Sequence, residues 1–317
     1  MRRVAGIVTF WPDLEQLMPR VAALACASER VVVFANSPVS QTDRARLLGT
    51  GAGDGGIEIV QSPDNVGLGR AYNHILQYAQ ARGADAVLLA DQDSDIEPET
   101  VEVLAARMVE LTAAGHRVAV VGALPVAPDG SPTRFKTTRL FERSVGSDLP
   151  NTQAVDFAIS SGSLVSLAAY EAVGPFREDF FIDAIDIEWC FRAWHAGLSC
   201  WTAMDAPMPH RLGQGGLEIP LTRLKLAQQP PSRLYTYVRN QVRMLGLRHV
   251  PMRWKLKILP YIGLQAAAYA LKGNKRRASL SAIGRGFRDG IRLALREPGN
   301  SVSPAADASG TAPLEKT

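Results

Sequence analysis

The sequence predicts an α/β fold: a mostly parallel, doubly wound sheet flanked by helices, with a basic helical C-terminal extension. Three observations predict it. Short apolar, β-rich runs alternate with segments of helical period through residues 1–120, the pattern of a parallel sheet wound with helices. Polar residues cluster immediately after those runs. Positive charge is concentrated near the end: residues 221–296 hold seventeen Lys or Arg and one acid, Asp289, in a chain whose net charge is only +4.

The elements follow in order. VAGIVTF (4–10) is a buried strand and 14–26 a helix; RVVVFA (30–35) is a second strand, closed by the turn residues Asn36-Ser37-Pro38. A glycine-rich loop (49–56) leads to strand IEIV (57–60), residues 69–82 have helical period, and AVLLA (86–90) is another strand. Glu97-Pro98 opens a helix through 114, with proline in its favoured first turn, and VAVVGA (118–123) is a strand. SSGSLVS (160–166) sets small residues beside a strand, as a backbone that lines a ligand requires. Ile187, Cys190, Phe191 and Trp194 form the apolar stripe of an amphipathic helix. The chain divides into a wound α/β unit (1–218), a basic helical unit (219–297) and a small, polar, proline-containing tail (298–317) expected to be disordered.

Composition narrows the function classes. Hydrophobic residues at 46% and charged residues at 21% exclude wholesale disorder and fibrous repeats. Three cysteines without a CxxC pair argue against a disulfide scaffold or a zinc module. The start MRRVAGIVTFW lacks the pattern of a signal peptide, and no uncharged apolar stretch reaches the roughly 18 residues of a spanning helix, so the expected compartment is the cytosol. A Walker motif is missing. GTGAGDGG (49–56) precedes a strand instead of opening a helix after one, which argues against a dinucleotide oxidoreductase. Basic residues interleave with Leu, Ile, Trp and Tyr through 234–271, and Trp254, Tyr261 and Tyr269 suit a membrane interface. The expected partner of 221–296 is therefore an anionic membrane surface, with a solvated helical face as the alternative. Nucleic acid is disfavoured, because no RNA-binding signature accompanies the charge.

In wound sheets, ligands bind outside the carboxyl ends of the strands. The residues placed there are Thr9, Asn36, the 63–67 turn and Asp91-Gln92-Asp93-Ser94. Side-chain alternation lets Asp91 and Asp93 reach one crevice while Gln92 points away. Such hard oxygen donors suit Mg²⁺ or Mn²⁺, although the same pattern fits an aspartate-capped surface loop. Asp183 and Asp186 precede or start the helix of the Ile187 stripe, where capping and catalysis are both open. Glu188, four residues before Arg192, fits a surface ion pair. His210 sits in the glycine-rich loop MPHRLGQGG (208–216), either as an ordinary polar residue or as a metal ligand.

Taken together, VTF near the start, NVGLGRAYN (65–73), LLADQDSDI (88–96) and the run from SSGSLVS through FFIDAIDIEWCFRA resemble the inverting family-2 glycosyltransferases of GT-A fold. The rhamnosyltransferase-like and galactofuranosyltransferase-like members are nearest in pattern, and the resemblance spans 4–215. It implies that Thr9, Phe10 and Asn36 line the nucleobase and ribose pocket, and that Asn65, Gly67 and Asn73 sit beside the nucleotide or its phosphates. Asp91, with Gln92 beside it, would help hold the nucleotide sugar. Asp93 would bind the divalent ion, and His210 would complete the metal shell. Asp186 would be the general base, with Asp183, Glu188 and Trp189 at the acceptor side of the substrate site. One departure is visible: the second strand ends Ala35-Asn36 where the family usually has Asp-Asn, so a nucleotide-contacting carboxylate is missing. The implied donor is dTDP-rhamnose, with UDP-galactofuranose second, and the implied acceptor is a hydroxyl of a cell-surface or lipid-linked glycan at the cytoplasmic membrane face. The oligomeric state is open between monomer and homodimer. The rival from another class is a non-catalytic nucleotide-sugar or glycan-binding protein.

Overall fold

Strands form where β-branched and apolar residues run consecutively: β1 (Arg3–Thr9), β2 (Arg30–Ala35), β3 (Gly56–Gln61), β4 (Ala86–Asp91) and β5 (Val118–Val126), followed by β6 (Thr152–Ala154), β7 (Ser163–Ser166) and β8 (Ser199–Pro209). A computed structural model describes residues 1–50, 56–126, 149–209, 216–218, 225–273 and 275–296. The eight strands make one sheet in the order β3-β2-β1-β4-β7-β5-β8-β6. Helices α1 (Leu14–Cys26), α2 (Gln41–Leu48), α3 (Gly67–Gln80), α4 (Pro98–Ala113), α5 (Leu167–Val173) and α6 (Ile185–His195) cover it. Both faces are covered, so β4 is buried from Ala86 to Ala90 and reads as a continuous apolar run.

The sheet is mostly parallel but mixed. β1 pairs in parallel with β2 and β4, and β5 with β8. β7, however, runs antiparallel to both β4 and β5, and β6 antiparallel to β8. A parallel partner for β4 needs a crossover, whereas an antiparallel strand can enter directly from the edge where β4 ends. This brings residues 160–162 to the carboxyl edge of the sheet: the Gly162 amide donates to Leu89 O (2.9 Å) and its carbonyl accepts from Ala123 N (2.8 Å).

Three helices follow: α7 (Pro231–Arg243), α8 (Met252–Lys272) and α9 (Arg276–Arg296). They share the core of the preceding unit, since Leu234, Val238, Val242, Trp254 and Ile258 belong to the same buried cluster as Val8, Val87 and Phe191. Helices α7 and α9 approach closely at glycines: a Cβ on Gly286 would lie 2.6 Å from Tyr235 O, and one on Gly290 2.7 Å from Arg239 O. Two of the aromatics expected at a membrane interface are therefore core residues. Trp254 is only 8% exposed, its ring packed edge-on against Phe157 and Phe191 at centroid distances of 5.8 and 5.2 Å. Tyr269 is 1% exposed, and its hydroxyl accepts from Gln229 N at 2.8 Å. Tyr261 stays 40% exposed. Among the described residues, no helix is long and apolar enough to cross a membrane. The 298–317 tail lies outside the described residues.

Candidate active site

From β1 the chain moves outward to β2 and β3 and then returns to β4 on the other side of β1. That reversal is the switch point at which wound sheets leave a crevice. Thr9 and Asp91 end the two strands that flank it. Thr9 is buried, while the Phe10 and Trp11 rings are exposed beside the crevice. Gln92 joins the two strand ends, its Oε1 accepting from Phe10 N at 2.7 Å.

Asp91 and Asp186 are linked through two intervening residues. Tyr72 donates its hydroxyl to Asp91 Oδ1 (3.2 Å) and stands 3.0 Å from Ser160 Oγ. The Ser160 amide donates to Asp186 Oδ2 (3.2 Å), and the Ile187 amide to Asp186 Oδ1 (2.9 Å). Burial and the like charge of Asp93 push the Asp91 carboxyl up to about 6, with Tyr72 opposing. Burial also raises Asp186 above the usual carboxylate range; its amide donors oppose the shift and the Asp183 charge adds to it.

Asp183 meets a partner from the basic C-terminal region. Arg233 of α7 donates to both its carboxylate oxygens, Nη2 to Oδ1 at 2.9 Å and Nε to Oδ2 at 3.2 Å. The Arg233 guanidinium is raised above its ordinary value, first by this bond and against burial, with Asp91 and Asp93 contributing as well. Four carboxylates and one arginine thus share the crevice.

The turn that carries Asp183 is strained. Phe181, Asp183 and Ala184 have φ of 64°, 65° and 62°, a region that costs non-glycine residues about 1–3 kcal/mol each. Helix α6 begins directly after it with no side-chain cap. Asp186 therefore does not cap this helix from outside but sits in its first turn, where the helix dipole favours its anion.

Several predicted contact residues are committed to the scaffold instead. Asn36 accepts from Val66 N (3.1 Å) and donates to Gly67 O (3.4 Å), and Asn65 Oδ1 accepts from Gly67 N (3.0 Å). Gly67 has φ +81°, and a Cβ there would lie 2.6 Å from Phe181 O, so its place is set by the close approach of the strained turn. Asn73 is buried, bonded to Phe176 O (2.9 Å), Phe176 N (2.8 Å) and Glu178 (3.1 Å). Trp189 is buried, its indole N–H donating to Gly174 O (2.9 Å) and its ring stacked on Phe176. Glu188 is 0% exposed, which replaces the expected surface pair by a buried one, because α6 turns that face inward. It lies 3.0 Å from Arg192 Nε and 2.9 Å from His249 Nε2. Burial opposes its ionisation, but Arg192 and His249 prevail and hold the carboxyl below the ordinary glutamate value. The stability this provides is complete above the ordinary carboxylate range and is lost as pH falls through the lowered value.

Asp91 and Asp93 offer the hard oxygen donors that a divalent cation takes. Burial first, and the like charge of Asp93 second, raise the Asp91 carboxyl, and a bound cation would relieve both. Among the described residues no group of three or more His, Cys, Asp and Glu could hold a metal by itself, so a cation at Asp91 and Asp93 would need diphosphate oxygens, water or a further residue to complete its shell. His210, the predicted second ligand, lies outside the described residues. Sequence reading missed Tyr72, Ser160, Arg233 and Asn240. Tyr72 and Ser160 lie inside motifs already singled out, whereas Arg233 and Asn240 entered only as part of a charged stretch.

Comparison with known proteins agrees with this geometry. The pattern of the family described as Glycosyl transferase family 2 matches residues 20–171. The dTDP-rhamnosyl transferase RfbF of Shigella flexneri is 28% identical over 259 residues, covering 78% of this chain and 81% of that protein. Among solved structures, S. aureus TarS 1-349 aligns over 93% of this chain and 82% of its own, with a TM-score of 0.56 at 16% identity. GalNAc-T7 with UDP, GalNAc and Mn²⁺ aligns over 92% of this chain and 56% of its own, with a TM-score of 0.59 at 12% identity. At these identities the structural likeness speaks for the GT-A fold.

Proposed function

We propose, from the match of residues 20–171 to the family described as Glycosyl transferase family 2, that this chain is a glycosyltransferase that moves rhamnose from dTDP-rhamnose to a hydroxyl of a cell-surface or lipid-linked glycan, with inversion at the anomeric carbon. The observation that carries the reading is the placing of Asp186 across the switch-point crevice from Asp91 and Asp93, with its carboxyl raised and held by two amides. The donor rests on the Shigella relative, whose name specifies dTDP-rhamnosyl transfer.

In this mechanism Asp186 accepts the proton of the acceptor hydroxyl as the oxygen bonds to the anomeric carbon. The bond to the diphosphate oxygen breaks on the opposite face. The amides of Ser160 and Ile187 orient the base, and its pKa, raised by burial above the ordinary aspartate value, gives it a stronger grip on that proton. Asp93 and, as proposed from the resemblance, His210 would hold a divalent cation, Mg²⁺ or Mn²⁺, which would supply Lewis-acid stabilisation of the departing diphosphate. Asp91 holds the donor beside it, while the exposed Phe10 ring offers a face to the nucleobase. Arg233 balances the charge of Asp183, so that the base does not face an unpaired like charge.

The acceptor side is proposed to lie at an anionic membrane. Supporting this, Met252, Leu256 and Leu259 are exposed at i, i+4 and i+7 on α8, among Arg253, Lys255 and Lys257, the mixture that interfacial helices present. The test is transfer of labelled rhamnose from dTDP-rhamnose to extracted membrane glycolipids across a pH series. The expected rate falls as pH drops through an apparent value above the ordinary carboxylate range, because only the ionised base accepts the proton. A rate flat down to pH 4, or transfer from UDP-galactofuranose alone, would overturn the respective part of the reading.

A further inference from the structure

Every carbonyl from 179 to 183 is bound from outside the turn. Phe181 O accepts from Leu68 N of α3 at 2.7 Å. The others are held by two adjacent residues of α7. Asn240 Nδ2 lies within hydrogen-bond distance of Phe180 O (2.8 Å), Ile182 O (2.9 Å) and Asp183 O (2.9 Å), its two hydrogens shared among the three carbonyls. Arg239 Nη2 donates to Asp179 O and Phe180 O, both at 3.0 Å. Arg239 also fixes the amide orientation of Asn240, donating to its Oδ1 from Nε (3.0 Å) and Nη2 (2.8 Å). Asn240 is wholly buried, with no solvent to substitute for these bonds. Seven residues earlier, on the same face of the helix, Arg233 holds the Asp183 carboxylate.

These bonds go to a segment that the local sequence does not favour. Three non-glycine residues with left-handed backbone stand in it, and α6 starts from Ala184, one of them, without a capping side chain. Such conformations persist only where surrounding structure over-determines them. Here the surrounding structure is α7 on one side and the α3 start on the other. The position of Asp186 follows from where α6 starts, because its carboxylate is oriented by Ser160 N and by the amide of Ile187, the third residue of that helix.

We infer that Asn240, supported by Arg239, is a positioning residue for transfer: it holds the 181–184 turn so that Asp183 meets Arg233 and Asp186 faces the crevice. The inference rests on Asp186 being the base. It makes the basic C-terminal region part of the catalytic unit.

The test compares Asn240→Ala and Asn240→Asp in the full chain, by turnover of dTDP-rhamnose, calorimetric donor affinity and hydrogen exchange at 181–187. The expected result is faster exchange in that segment and turnover lowered about 10–100-fold, the scale of a misplaced reacting group, with donor affinity within about threefold. Asp should be worse than Ala, because it keeps the volume yet turns an oxygen toward three carbonyls; a mere packing role gives the reverse order. Turnover within about twofold of wild type, unchanged exchange, or a reversed order would overturn the inference. Should both variants fail to fold, Arg239→Met removes the support of Asn240 and is expected to show a weaker form of the same pattern. A wild-type chain that leaves dTDP-rhamnose intact breaks the donor reading alone, while exchange still decides the clamp, and Asp186→Asn with the donor that is used decides the base.

Discussion

Replacing Asp186 by Asn is expected to lower turnover by about 10²–10⁴-fold, the usual contribution of a positioned general base. The amide is nearly isosteric and retains an oxygen for one of the two backbone donors, so the crevice keeps its shape, but the group no longer takes up a proton at working pH. Donor affinity is expected to stay unchanged, since in the proposed mechanism Asp186, held by the Ser160 and Ile187 amides, meets the acceptor hydroxyl and not the diphosphate. Single-turnover release of dTDP, alongside calorimetry, separates the two effects. Turnover within tenfold of wild type in a folded variant would remove Asp186 from the role.

The second large effect is expected at Asp93. Asp93→Ala should weaken donor binding in Mn²⁺ by about 100-fold, or roughly 2.8 kcal/mol at 1.4 kcal/mol per decade. In chelator, wild type and variant should bind alike. The logic is electrostatic: Asp93 supplies both a hard oxygen donor and the like charge that, after burial, contributes to raising the Asp91 carboxyl to about 6. Removing it would forfeit the proposed metal site and the like-charge part of the Asp91 shift, leaving the part due to burial. Equal affinity of the two proteins in Mn²⁺ would show that the ion, if bound, sits elsewhere.

The parts of this molecule legible in the sequence were those governed by local rules. Strand β2 and helix α1 occupy the predicted residues, because a β-branched run and a 3.6-residue apolar period are strong local signals. Helix α2 (Gln41–Leu48) was not anticipated, since only Leu47 of its eight residues is buried and no apolar period announces it. The antiparallel β7 depends on a long-range pairing that no local pattern encodes. The carboxylates of the crevice were legible because they follow strands or start a helix. Asn36, Asn73 and Glu188 were given outward roles, and what turned them inward, the packing of 176–184 on α3 and of α6 on His249, is tertiary. The same holds for Arg233 and Asn240, which reach the site from 50 or more residues further along the chain.

The most direct measurement is calorimetric titration of dTDP-rhamnose, dTDP, UDP-galactofuranose and UDP into the full chain, each with Mn²⁺ and with chelator. The proposed function predicts that dTDP-rhamnose binds most tightly and loses most of that affinity in chelator, despite Ala35 at the end of β2. Tighter binding of UDP-galactofuranose, or donor binding indifferent to the metal, would contradict it.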